Sequence, residues 1–236
     1  MRTAALPGRR RRWVPAATAL AVGAALASAA LTTADDDRRP TTIDAVAAGD
    51  SAGIRTYVAV GDSITAGMVP GTDTLTTPGP TSWLAGETAS RLVQVGGWAV
   101  PGTVTEDMRA HVVPTPADVL VLLGGTNDLM RGIPWDVTAA NLQAISTTVG
   151  ARSTLLVAIP PSDSAPEARS AFNTRLRALA GARHWRYIDP WTSVAASGAW
   201  TPGTTVEGIH PTASTAAAVG RAITDRAWQV AARRGR

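Results

Sequence analysis

The 236-residue chain has no cysteine and no lysine, and it holds only three histidines, two tyrosines and one phenylalanine. Each absence removes a class of explanation. Without cysteine there is neither a disulfide framework nor a thiolate metal site, so an exported domain must be held by its core alone. No set of His, Asp and Glu at ligand spacing takes the place of the thiols, which makes a metalloenzyme the weakest reading and calls for no cofactor. Positive charge is also scarcer than the formal +4 suggests. All 22 basic residues are arginine, five of them lie in positions 1–34 where there is no acid, and the remainder carries 17 against 18 acidic residues. A nearly neutral domain gives no case for a nucleic-acid partner. Arginine without lysine, together with abundant alanine, speaks of a GC-rich genome rather than of a function.

What is present begins with a leader. Arg2 and the run Arg9-Arg10-Arg11-Arg12 precede an apolar, alanine-rich stretch at 13–31, followed by small residues such as Thr32-Thr33-Ala34. A basic head, a short apolar segment and small residues make a secretory signal over 1–34. Paired arginines before Trp13 leave the twin-arginine route open beside the general one, and an N-terminal anchor is the alternative. Pro15 and the many alanines argue against the anchor. Residues 35–53, opening on Asp35-Asp36-Asp37-Arg38-Arg39-Pro40, read as a flexible linker. The domain is then 54–236, about 185 residues, enough for one core. The expectation is a secreted monomer with no stable membrane association once the leader is removed.

From Ile54 onward, strand-like and helix-like segments alternate. The run 57–60 stops abruptly at Gly61-Asp62-Ser63, as a buried strand does at a tight turn. Residues 69–80 read as a loop rich in Gly, Pro and Thr, and 81–92 as a helix. Further strands are expected at 92–95, 118–123, 154–159 and 186–189; the third of the five is apolar on both faces, as a central parallel strand should be. Thr105 as cap with Glu106 and Asp107 as an acidic first turn opens a helix leading to Val113, and Pro134 suits the first position of a helix carrying Val137, Leu142 and Ile145. Pro166 and Glu167 open another, bearing Phe172, Leu176 and Leu179. The last starts near Thr212, with Ala216, Val219, Ile223, Ala227 and Val230 along one stripe. Such alternation implies a parallel sheet covered on both faces, with ligands at the carboxyl ends of the strands.

That rule selects among the polar residues. Ser63 follows the first strand, Gly102 the second, and Gly124-Gly125-Thr126-Asn127-Asp128 the third. A serine in a turn is a candidate nucleophile or an ordinary turn residue. The Asn127 amide can donate to a developing oxyanion and Gly102 lets a backbone N–H approach a substrate, or they are a cap and a turn glycine. Among the histidines, His111 lies in a helical stretch and His184 between Arg183 and Trp185, as surface or packing residues do. His210 sits in a loop just before the last helix, three residues after Glu207. In one turn that carboxylate can accept from Nδ1–H and leave Nε2 free to take a serine proton.

The ordered set Gly61-Asp62-Ser63, Gly102, Gly125-Thr126-Asn127-Asp128 and Glu207-Gly208-Ile209-His210-Pro211 resembles the four blocks of the SGNH hydrolases, the GDSL esterase/lipase family. The likeness runs from Tyr57 to the last helix, and 172–176 is similar to the helix before the family's fifth strand. It implies a flavodoxin-like three-layer α/β/α sandwich and ester hydrolysis through an acyl-serine. It makes Ser63 the nucleophile, His210 the general base, Glu207 the acid of the triad, and the Ser63 N–H, Gly102 N–H and Asn127 side chain the oxyanion hole. Asp62 shapes the turn. The motif is not the Gly-x-Ser-x-Gly elbow, since Thr65 stands where its second glycine would be.

Two positions depart from the family pattern. Glu207 stands where Asp is usual, which leaves either a Ser-His-Glu triad or a dyad with His210 oriented by a backbone carbonyl. Gly97 stands five residues before Gly102, where Asn is common. Beside ester hydrolysis stand a catalytically silent cell-wall or carbohydrate-binding module and an acyltransferase. Trp83, Trp98, Trp135, Trp191 and Trp200 line an acyl or sugar site or belong to the core. The loop at 69–80 is too short for a large lid, so an open crevice favours short acyl esters or acetylated carbohydrate.

Overall fold

The strand that ends at Gly61 is β1 (Arg55–Gly61), and it is flanked by β2 (Leu92–Ala99) on one side and β3 (Val119–Leu123) on the other. Beyond β3 lie β4 (Thr154–Val157) and β5 (Arg186–Ile188), giving the order β2-β1-β3-β4-β5 with every pair parallel. The structure is a computed structural model that describes residues 53–68, 77–86 and 91–233. The expected leader, nearly all of the linker and most of the loop at 69–80 lie outside the described residues.

Alternation along the strands divides the core in two. Tyr57, Ala59, Val119, Val121, Leu155 and Val157 face a cluster completed by Val219, Ile223 and Ala227 of α6 (Ala213–Ala232). Val58, Val60, Leu120, Leu122 and Leu156 face the opposite cluster. That one is completed by Met108 of α2 (Thr105–His111), Leu142 and Ile145 of α4 (Trp135–Val149), and Phe172 and Leu176 of α5 (Pro166–Ala182). Strands apolar on both faces therefore become the middle layer of a three-layer, flavodoxin-like sandwich. Two short helices, α1 (Ser63–Ala66) and α3 (Thr126–Met130), sit directly at the carboxyl ends of β1 and β3. A two-stranded hairpin, β6 (Ala195–Ala196) and β7 (Ala199–Trp200), follows β5.

Three local expectations are corrected. In place of a helix over 81–92 the chain forms a single 3-10 turn, Trp83–Gly86; residues 87–90 lie outside the described residues. The turn is pressed against α6 backbone to backbone. A Cβ on Gly220 would lie 1.9 Å from the Trp83 carbonyl oxygen, and one on Gly86 would lie 2.3 Å from that of Ala217. Second, β2 does not stop at Val95 but runs through Gly96 and Gly97 to Ala99. A register shift lets Tyr57 pair with Gln94 and Val58 with Gly96. At Gly97, φ is +143° and a Cβ would lie 1.9 Å from the Ala59 oxygen, so the asparagine usual in the family has no room here. Third, Thr105 is the first residue of α2 rather than its cap, and the Asp107 side chain accepts from Val104 N–H at 3.0 Å. Pro134 likewise stands one position before α4, while Pro166 is the first residue of α5, as expected.

Candidate active site

The turn after β1 is built around Asp62. Its Oδ1 accepts from Ile64 N–H at 3.0 Å and its carbonyl from Thr65 and Ala66 at 3.1 and 2.9 Å, which winds α1 at once and makes Ser63 its first residue. A first helical residue has no intrahelical partner for its N–H. From beneath, Trp83 Nε1 donates to Thr65 Oγ1 at 3.0 Å and the Ser82 hydroxyl to the Thr65 carbonyl. Asp62 is fully buried. Burial pushes its carboxyl from 3.8 up to about 6, against the pull of the Ile64 N–H, of His210 and of the Thr126 hydroxyl beside it.

His210 Nε2 lies 2.8 Å from Ser63 Oγ, across 147 residues of sequence. On the other side of the ring, Glu207 Oε1 meets Nδ1 and also accepts from His210 N–H at 3.2 Å. The loop is tightened by Thr205, whose hydroxyl donates to the His210 carbonyl at 2.7 Å and accepts from Gly208 N–H at 2.9 Å. Asp163 N–H holds the Gly208 carbonyl at 3.1 Å and ties this loop to the segment after β4. The side chain of His210 is 14% exposed and that of Glu207 45%. A carboxylate on one nitrogen and a hydroxyl on the other set the tautomer that can take the serine proton.

Gly102 lies in the turn after β2 and Asn127 in α3 after β3, and the two segments are bonded to each other. Asn127 Nδ2 donates to the Thr103 carbonyl at 2.9 Å, which leaves the second amide hydrogen free of that bond. Behind it, the fully buried Asp128 accepts from Thr105 N–H at 2.9 Å, from the Thr105 hydroxyl and from the Thr138 hydroxyl at 3.0 Å. The Arg131 guanidinium donates to the Gly102 carbonyl at 2.6 Å. Ser63, His210 and Glu207 are thus in direct contact, while Asn127 and Gly102 are linked through the bonds of Thr103 and Arg131. In the sequence Asp128 stands in the third block without a role, and Arg131 stands outside the blocks. An acid directly after Asn127 is the one local signal for this pair.

The sequence profile of the GDSL-like lipase/acylhydrolase family matches residues 59–218, which includes every one of these residues. The chain belongs to that family. It is a carboxylic ester hydrolase of the GDSL type. Comparison with curated proteins finds no match. Among solved structures, a lipolytic protein of the G-D-S-L family from Desulfitobacterium hafniense is similar at 17% identity with a TM-score of 0.58, over 73% of this chain and 99% of that one. A lipase/acylhydrolase from Enterococcus faecalis is similar at 22% identity and 0.53, over 73% and 97%. An acetyl xylan esterase from Geobacillus stearothermophilus is similar at 15% identity and 0.53, over 77% and 96%. At such identities the likeness is one of fold.

In this GDSL hydrolase a cleft of about 270 Å³ opens beside the constellation, since Thr126 and Ile209, the neighbours of Asn127 and His210, both line it. Leu129, Met130, Ile159 and Pro160 make most of it apolar, with the Ser162 and Ser164 hydroxyls and Arg169 as polar lining. None of the five tryptophans lines it. Trp83 and Trp191 are fully buried, and Trp191 packs edge-on against Trp200 and donates to the Ala158 carbonyl at 2.8 Å. Trp98 stacks on His111, and Trp135 meets Phe172 edge-on. They are core and helix-packing residues of the hydrolase. His184 is an exposed turn residue with φ of +56°. Among the described residues no group of three His, Asp or Glu could hold a metal ion, and no helix is long and apolar enough to cross a membrane.

Proposed function

We propose that the enzyme cleaves short-chain acyl esters or acetylated carbohydrate with Ser63 as nucleophile. The carrying observation is the 2.8 Å contact between Ser63 Oγ and His210 Nε2, with the Glu207 carboxylate on Nδ1. As Oγ attacks the ester carbonyl, Nε2 takes its proton and the Glu207 charge stabilises the imidazolium without itself becoming protonated. The oxyanion that forms is received by Ser63 N–H, Gly102 N–H and Asn127 Nδ2. His210 returns the proton to the leaving alcohol, and an acyl-Ser63 remains. Water, activated by the same imidazole, releases the acid and restores the hydroxyl.

The substrate class rests on the cleft, whose size and apolar walls suit a small acyl group, and on the shortness of the 69–80 segment in the sequence. Export by the leader at 1–34 and action as a monomer outside the cell complete the reading.

The test is hydrolysis of p-nitrophenyl acetate by the wild type and by Ser63→Ala made in parallel. Turnover that disappears in the variant is expected, and a series of longer acyl chains then ranks substrates. A folded wild type that binds acetylated carbohydrate without turnover would replace the enzyme with a binding module. Sequencing the amino terminus of protein recovered from the culture medium tests export.

A further inference from the structure

The turn that carries Gly102 has little of its own to hold it. Gly102 is exposed with φ of +78°, and nothing lies within 4 Å of where a Cβ would stand. Within the turn, Thr103 N–H reaches the Val100 carbonyl at a long 3.4 Å, supplemented by the Thr103 hydroxyl at 2.7 Å. A glycine without packing neighbours samples a wide range of φ and ψ, so its peptide groups point where their hydrogen bonds direct them.

Those bonds come from across the crevice. Asn127 takes the Thr103 carbonyl, Asp128 takes Thr105 N–H, and Arg131, the residue that caps α3, takes the Gly102 carbonyl at 2.6 Å. Three residues within one turn and a half of helix therefore hold three positions of the opposite loop. The Arg131 bond is charge-assisted and acts on the glycine itself. Anchoring the Gly102–Thr103 peptide plane limits the combinations of φ and ψ at Gly102, the two dihedrals that relate that plane to the one carrying Gly102 N–H.

We propose that Arg131 is a positioning residue for the oxyanion hole, holding the Gly102 carbonyl so that Gly102 N–H stays directed at the reacting oxygen. The proposal rests on the hydrolytic reading above. Arg131 touches no reacting atom in it and acts only through Gly102. Because the guanidinium is exposed, an added guanidinium ion can reach the place that a truncation leaves empty.

The test compares Arg131→Ala and Arg131→Lys with the wild type, all in the full chain, by steady-state hydrolysis of p-nitrophenyl acetate and by hydrogen exchange resolved to residues 102–104. Arg131→Ala should lower kcat by about tenfold, less than the loss of a whole oxyanion donor, with KM and the thermal midpoint unchanged. Exchange should quicken about tenfold at 102–104 and nowhere else, as expected for a locally released turn. Lysine, which keeps one charged donor, should restore part of kcat, and millimolar guanidinium should do the same for the alanine variant. Wild-type kcat in Arg131→Ala with faster local exchange overturns the positioning role, as does a rise in KM alone, which would make Arg131 a substrate contact. Exchange that quickens throughout the domain also overturns it, as a loss of fold. A wild type without Ser63-dependent turnover fails earlier, at the hydrolytic reading, and the exchange measurement tells the two failures apart.

Discussion

At the scale of single residues, the arrangement makes unequal demands on its members. Asn127→Ala should lower kcat by roughly 10²–10³, the usual loss for one oxyanion donor, with only a small change in KM. Retained kcat would remove Asn127 from that role. Glu207→Gln is more informative. The amide can still accept from His210 N–H, as Glu207 Oε1 does at 3.2 Å, but it removes the charge beside Nδ1. A fall in kcat on the order of 10³–10⁴ is expected if the carboxylate steadies the imidazolium, whereas near-normal turnover would mean that Ser63 and His210 work as a dyad. Glu207→Asp shortens the reach to the ring by one methylene and should lie between the two.

At the scale of elements, the site depends on α3 more than on the turn that carries Gly102. The Asp128 carboxylate ties α3 to the first turn of α2 and to Thr138 of α4, all within the buried layer. Asp128→Ala leaves a buried N–H and hydroxyls without partners and should cost about 3 kcal/mol. For a domain of this size that is a fall in thermal midpoint of roughly 6–12 °C by calorimetry. On the opposite face, α6 meets the 3-10 turn so closely that no side chain fits between them. Gly220→Ala should therefore destabilise by about 1–3 kcal/mol in urea titration, although it removes no contact. If Gly220→Ala unfolds at the wild-type midpoint, the backbone contact with Trp83 is not close enough to matter.

At the scale of the whole molecule, the acid that shapes the nucleophile turn is a standing cost to the fold. Folding raises the Asp62 carboxyl from 3.8 to about 6, so the folded state holds that proton more tightly than the unfolded chain does. Its contribution is most favourable below pH 3.8, when the group is neutral in both states, and is lost as pH rises through about 6. The difference is roughly 3 kcal/mol. Asp62→Asn keeps an oxygen for Ile64 N–H and removes the charge. Its stability relative to wild type should therefore grow between pH 4 and pH 6 and level off above, as measured by urea unfolding at each pH. A difference that stays constant across that range would show that Asp62 does not titrate there.

Much of this architecture was legible from residue order. The apolar runs of β1, β3 and β4 became inner strands because a parallel strand covered on both faces must be apolar throughout, while the edge strands β2 and β5 are partly exposed. The stripes of α5 and α6 became core faces because a helix laid on the sheet buries one side, and so did Leu142 and Ile145 of α4, whereas Val137 is exposed. The approach of Glu207 to His210 was legible too, since three residues in one turn bring two side chains together without help from elsewhere. What depended on distant partners was not. Gly96 and Gly97 look like the end of a strand until β1 is laid against them, and 81–92 looks like a helix until α6 occupies the space. Asp128 and Arg131 find their partners 23 and 29 residues away, so no local spacing announces them. Periodicity and turn chemistry are properties of neighbours in sequence, and they determined the elements and the order of the site. Close approach, burial and the hydrogen bonds across the crevice are properties of neighbours in space, and only the tertiary structure decided those.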